Sequence, residues 1–140
     1  MTTKIDGLLG VDRVKSASID LEDLKWVPPF TKDYVSPEQV YTNGGVIDLT
    51  HNLGAPYKLC VVTLVCVITQ LGYAVGTELE LGSRQDHSTA AYGFNIRKLG
   101  STGIRVVIGA SGLYEHGTDG TGSAVVLTAA NWRLVVRAWA

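Results

Sequence analysis

In the last ten residues of the chain, NWRLVVRAWA, apolar side chains recur at every second position. One side of such a strand carries Trp132, Leu134, Val136 and Ala138, and the other carries Arg133, Arg137 and Trp139. Because successive side chains of a strand point to opposite faces, the pattern predicts a half-buried strand that runs to residue 140. With this end of the chain held in a sheet, we expect the free arm at the N-terminal end.

Similar short alternating segments extend back to residue 40, and the clearest are residues 46–50, 77–81 and 104–108. Residues 100–103 predict a hairpin loop, and residues 109–122 predict a loop or a loosely paired hairpin, because both stretches are rich in glycine. The pattern amounts to about seven or eight strands in about 100 residues, which predicts an all-β fold, an antiparallel β-sandwich without long helices.

Residues 57–69 are apolar at both odd and even positions. A strand of this kind is covered on both sides, so we expect a second sheet or a neighbouring subunit over its outer face. Cys60 and Cys66 lie in this stretch, and on one strand they are about 20 Å apart, beyond the reach of a disulfide. We interpret them as small buried apolar side chains.

Residues 1–39 show neither helical nor strand periodicity, and they combine prolines and scattered charges with isolated large apolar side chains. Such a segment cannot bury a core alone, yet it is too apolar for an inert linker. We therefore predict two parts, an extended docking arm at 1–39 and a knob at 40–140. The pattern of residues 36–39 predicts one helical turn at the end of the arm. The predicted anchors of the arm on a larger particle are Leu21, Leu24, Trp26 and Phe30.

The charge of the chain is nearly balanced, with 12 basic and 13 acidic residues. This balance predicts no nucleic-acid partner, because no basic surface large enough to neutralise many phosphates is present. The first residues lack the pattern of a signal peptide, and no apolar run approaches the length of about 18 residues that a membrane span needs. We therefore expect no membrane partner and a protein that is made in the cytoplasm.

The residue types that carry catalysis or bind metals are not grouped in the sequence. The three histidines, His51, His87 and His116, have no spacing that places two of them on one face of an element. Residues 117–122 are rich in glycine but lack the lysine of a phosphate-binding loop, and no serine lies in a nucleophile elbow. We expect a protein that is not an enzyme and that has no cofactor and no metal.

Two groups of residues remain as candidate sites. Arg133, Arg137 and Trp139 share the outer face of the last strand, and they are either ordinary surface side chains or part of a subunit interface, where Arg and Trp are enriched. Loop residues that combine aromatic and polar groups are the candidates for ligand binding, since an aromatic face with nearby polar groups suits a sugar. They are Tyr73, Asp86, His87, Tyr114 and His116, with Tyr92 as a further aromatic candidate.

Several short motifs occur in an order that resembles a known family. They are Thr50-His51-Asn52-Leu53-Gly54 followed by Pro56, then Leu64-Val65-Cys66, Gly72-Tyr73-Ala74-Val75-Gly76, and Leu127-Thr128-Ala129-Ala130-Asn131-Trp132 with the Arg-Ala-Trp-Ala end. From about residue 44 onward, the chain resembles a small C-terminal domain of tail-fibre and other surface proteins of tailed phages and phage-like particles. The resemblance implies a jelly-roll or lectin-like knob that forms a homotrimer in a virion.

Three functions from different classes follow from these observations. The first is a short tail-fibre or attachment protein, whose arm docks on other virion proteins and whose knob contacts a glycan on the host surface through loops distal to the arm. The second is a capsid decoration protein that stabilises or adorns the head. The third is a free carbohydrate-binding domain.

Overall fold

The structure is a computed structural model that describes residues 29–82, 91–118, 120 and 123–140. These residues form an all-β fold of antiparallel sheets, and their only helix is a 3-10 turn at Ala129–Asn131. The strands in chain order are β1 (Asp33–Val35), β2 (Val46–Thr50), β3 (Leu59–Cys66), β4 (Glu78–Leu81), β5 (Phe94–Leu99), β6 (Gly103–Ile108), β7 (Tyr114–Glu115), β8 (Val125–Val126) and β9 (Trp132–Trp139). The predicted all-β class is confirmed.

The strands form two main sheets and one short ribbon. The larger sheet has the order β1-β9-β3-β4, the second has the order β2-β6-β5, and β7 pairs with β8. β5 and β6 are joined by the hairpin that residues 100–103 predict. β7 lies within the glycine-rich region 109–122, for which the sequence predicts a loop or a loosely paired hairpin, and β8 lies just after it.

The predicted C-terminal strand is confirmed as β9, which lies inside the larger sheet. It pairs with β3 over eight positions, from Leu59 opposite Trp139 to Cys66 opposite Trp132. Its inner side is buried, and Arg133, Arg137 and Trp139 lie on the outer, partly exposed side, as the alternation predicts. Leu79 and Leu81 likewise point inward on β4, and Glu78 and Glu80 point outward.

Side chains from both main sheets belong to one buried cluster. The larger sheet contributes Val62, Leu64, Trp132, Leu134 and Val136, and the second sheet contributes Phe94, Ile104, Val106 and Ile108. Connecting segments complete the cluster with Tyr41, Leu53, Leu113 and Leu127. The inner face of β3 is therefore covered by this core.

The segment just before residue 40 belongs to the larger sheet, which corrects the boundary expected at residue 39. Asp33–Val35 form β1 and pair with β9, and the backbone of Gln39 bonds with that of Leu134 in both directions. The helical turn predicted at 36–39 is also wrong. The hydroxyl of Ser36 accepts a hydrogen bond from the backbone N–H of Val136 at 3.0 Å, so it serves the sheet rather than a helix cap.

The pairing of β9 gives the molecule two distinct ends. At one end, the carbonyl of Ala140 accepts hydrogen bonds from the N–H groups of Thr31 (2.9 Å) and Lys32 (3.3 Å). At the other end, Trp132 lies beside the connection between β3 and β4. Eight strand residues rise about 3.3 Å each, so the ends are roughly 23 Å apart. We call them the arm end, where residue 29 enters the fold, and the loop end.

Burial on the inner face predicts a clear difference between two leucines. Leu64 is 0% exposed and Leu99 is 36% exposed. Leu64→Ala should lower the free energy of unfolding by about 2 to 5 kcal/mol, because it removes apolar contacts and leaves a cavity. Leu99→Ala should lower it by less than about 1 kcal/mol. Urea unfolding followed by tryptophan fluorescence measures both, and equal losses would contradict the assignment of the core.

Candidate functional site

The loop end brings together three of the residues that the sequence predicts for ligand binding. Tyr73 lies between β3 and β4, Tyr114 lies in β7, and His116 follows it by two residues. The other two predicted residues, Asp86 and His87, lie outside the described residues. The loop end is opposite the arm end, where residue 29 enters the fold.

Gln70 is the residue that fastens the loops of this end. Its Oε1 accepts hydrogen bonds from the indole N–H of Trp132 at 2.9 Å and from the backbone N–H of Thr128 at 3.2 Å. Its Nε2 donates to the hydroxyl of Thr128 at 3.2 Å. Because Trp132 is fully buried, its N–H needs such a partner. One amide therefore joins the turn after β3 to the start of β9.

The turn that follows Gln70 adopts a conformation that ordinary side chains avoid. Leu71 has a φ of 54° and Gly72 a φ of 84°, and the N–H of Tyr73 donates to the carbonyl of Gln70 at 2.9 Å. Leu71 is strained in this region, but its side chain packs against the core and its carbonyl accepts a hydrogen bond from the N–H of Thr118. The turn is thus held against the loop that follows β7.

Tyr73 is used inside the protein by both its ring and its hydroxyl. The ring meets the indole of Trp132 edge to face, with centroids 5.8 Å apart. The hydroxyl donates a hydrogen bond to the backbone carbonyl of His116 at 3.1 Å. These contacts give Tyr73 the role of positioning the His116 loop over the start of β9.

The aromatic groups that remain open at the loop end are Tyr92 and Tyr114. Their rings meet edge to face with centroids 5.6 Å apart and an angle of 80°. With Ala124 and Val126 they line an open depression of about 260 Å³. The polar residues Glu115 and His116 follow Tyr114 directly in the chain, and the carboxylate of Glu115 accepts a hydrogen bond from the N–H of His116 at 3.0 Å. An open depression with an aromatic wall is suited to binding a sugar-sized ligand.

Burial keeps two side chains that could carry reactive chemistry, Cys60 and Tyr41, in their neutral form. Burial raises the pKa of the Cys60 thiol to about 11 and that of the Tyr41 hydroxyl to about 12. His51 is buried beside the rings of Tyr34 and Tyr57, and its Nδ1 accepts a hydrogen bond from the N–H of Leu53. Within the described ranges, no group of three or more His, Cys, Asp or Glu side chains converges as a metal site would require.

The predicted interface residues lie on the outer face of the larger sheet. The guanidinium of Arg137 donates to the hydroxyl of Thr63 and to the carboxylate of Glu78, both at 2.9 Å. That of Arg133 donates to the backbone carbonyls of Ala130 and Trp132. Trp139 is partly exposed beside them.

Of the predicted docking residues, only Phe30 is described. It is exposed at the arm end, where the side chain of Lys58 donates a hydrogen bond to the carbonyl of Pro29. Leu21, Leu24 and Trp26 lie outside the described residues.

No family model, curated protein or solved structure matches the chain. No helix in the described part of the chain is long and apolar enough to cross a membrane.

Gln70→Ala should destabilise the protein, because it leaves the buried indole N–H of Trp132 without an acceptor. The expected loss in the free energy of unfolding is about 1 to 3 kcal/mol. Gln39→Ala is a matched control, since that amide donates only to the exposed carbonyl of Pro37, and its loss should stay below about 0.5 kcal/mol. Urea unfolding measures both, and an unchanged stability of Gln70→Ala would contradict the role given to Gln70.

Proposed function

We propose that this protein is a surface protein of a phage-like virion, a short tail-fibre or attachment protein. In this proposal residues 40–140 and the preceding strand form a trimeric β-sandwich knob of the jelly-roll or lectin-like type. The N-terminal residues dock on other virion proteins, and the loop end contacts a glycan on the host surface. The observation that carries the proposal is the separation of the two ends of β9.

The separation supports a protein that is attached at one end and presents a binding surface at the other. Residues 29–32 enter beside Ala140, whereas the carbonyl of His116 is bonded to Tyr73 beside Trp132, at the opposite end of the same strand. Tyr114 is two residues before His116, and Tyr92 packs against it. Eight residues of strand keep the two ends apart by roughly 23 Å. A chain docked through its N-terminal residues would therefore direct these loops away from the particle.

The composition of the loop end supports a glycan as the ligand. The edge-to-face pair of Tyr92 and Tyr114 lines the open depression with aromatic surface, and the polar residues Glu115 and His116 follow Tyr114 in the chain. A single depression of this kind binds weakly, so several copies on one particle are needed for firm attachment. This need agrees with the proposed homotrimer.

Residues 1–28 are the proposed docking segment, because residues 33–35 belong to the sheet. Removing residues 1–28 should leave a folded knob that no longer joins the particle, since Leu21, Leu24 and Trp26 are removed and each large apolar anchor is worth about 1.5 to 3 kcal/mol when buried. Mass spectrometry of purified particles measures incorporation, and circular dichroism checks the fold. Normal incorporation of the truncated protein would contradict the docking role.

Tyr114→Ala should reduce the rate at which particles adsorb to host cells by about tenfold, which corresponds to a loss of roughly 1.4 kcal/mol. Tyr114→Phe keeps the ring and should retain most of the adsorption. Both variants must enter the particle at the normal copy number. If Tyr114→Ala adsorbs normally while loss of the whole protein makes the particle less resistant to heat, the protein is a capsid decoration protein instead.

A further inference from the structure

We propose that copies of this chain meet through the outer face of the four-stranded sheet. The inference rests on the self-association included in the proposed function, and it does not depend on what the loop end binds. It specifies the contact surface and the kind of partner, a second copy of the same chain.

The arm end of this face carries an exposed apolar patch. Val35 and Leu59 are 53% and 44% exposed, and they lie on the two strands that flank β9. Leu59 is opposite Trp139, and Val35 is opposite Arg137, which in turn is opposite Val61. Asp33 lies on the same face, opposite Trp139 on the β1 side. Cross-strand neighbours on one face lie about 5 Å apart, so these side chains form one surface with Asp33 and Arg137 among its apolar groups. Exposed apolar surface rimmed by polar residues marks an interaction site.

On the same face, the charges of β9 and β4 form two columns of opposite sign, and Asp33 of β1 adds a carboxylate beside Trp139. Arg133 and Arg137 lie on β9, and Glu78 and Glu80 lie on β4, two strand spacings or about 10 Å away. Arg137 and Glu78 pair with each other at 2.9 Å. Within the described residues, Arg133 and Glu80 form no ion pair.

The two columns suit a head-to-tail contact between copies, the kind that a closed ring of three requires. The basic column of one copy then lies against the acidic column of the next, and Arg133 gains a carboxylate in addition to the backbone carbonyls that it binds within the described residues. The same contact covers the apolar patch beside Trp139. Arg and Trp at a largely desolvated contact are the residues that contribute most to association.

The outer face of the other sheet lacks this complementarity. Its Asp48 is already held by Arg105 through two hydrogen bonds of 2.7 Å, and the position across from Arg105 is occupied by Arg97. The remaining charge on that face is positive, so two copies of it would repel each other. The four-stranded sheet is therefore the face through which copies associate.

Two valines of equal exposure provide the test. Val35 and Val46 are both 53% exposed, the first on the proposed face and the second on the outer face of the other sheet. Sedimentation equilibrium of the full chain should give a mass above that of the 15.0 kDa monomer. Val35→Glu should weaken association by about tenfold or more, because it places a carboxylate against apolar surface, whereas Val46→Glu should leave it unchanged within about twofold.

A charge exchange tests the columns. Glu80→Arg and Arg133→Glu should each weaken association, and the double variant should restore it. Circular dichroism of each variant confirms that the monomer is folded. If the wild-type chain is associated but Val46→Glu dissociates it as strongly as Val35→Glu, the proposed face is wrong while self-association stands. If the wild-type chain is a monomer at about 100 μM, well above a micromolar Kd, both the face and the proposed trimer are wrong, and the host-contact role is left to the adsorption assay.

Discussion

The pairing of β9 with β3 determines where every other part of the structure lies. These are the longest strands, with eight residues each, and together they form the centre of the larger sheet. The pairing places Trp132 at one end and Trp139 at the other, and it directs Leu134 and Val136 into the core. β1 and β4 then add on either side, and the second sheet contributes its apolar face to the same buried cluster. A shift of one residue in this register would reverse the two faces of the strand, which is why the pattern in the sequence is so regular.

Fixing Trp132 at the end of this strand creates a requirement that shapes the loop end. A fully buried indole needs an acceptor for its N–H, and the acceptor is Gln70, which is 62 residues earlier in the chain. The same amide holds Thr128, and the turn after Gln70 holds Thr118 through the carbonyl of Leu71. The strained φ of Leu71 is maintained because both sides of the turn are anchored. Tyr114 pairs with Val126, two residues before Thr128, so its strand adjoins a segment that the Gln70 amide holds in place.

The sequence predicted the elements whose signal is local. The alternation of β9, the outward Glu78 and Glu80 of β4 and the hairpin at residues 100–103 each follow from a few consecutive residues. β1 was missed because three residues next to a proline show no period, and their pairing partner lies about 100 residues away in the sequence. The helical turn at 36–39 was predicted from a capping pattern, but the Ser36 hydroxyl binds Val136 instead. Local patterns of this kind are overridden when a distant strand offers the same groups better partners.

The candidate site shows the same division between local and distant information. Residue type alone made Tyr73 and Tyr114 equal candidates, since both are loop tyrosines near polar residues. They differ in their contacts in the folded protein. The ring of Tyr73 packs against Trp132 and its hydroxyl binds the carbonyl of His116, whereas Tyr114 packs against Tyr92 beside an open depression. The outer face of β3 follows the same logic. Thr63 on that face is already buried and accepts a hydrogen bond from Arg137, but Leu59 remains exposed. The apolar character of both faces of β3 is thus satisfied within the chain at the centre of the strand, whereas at its arm end Leu59 is exposed, where we propose that a second copy packs.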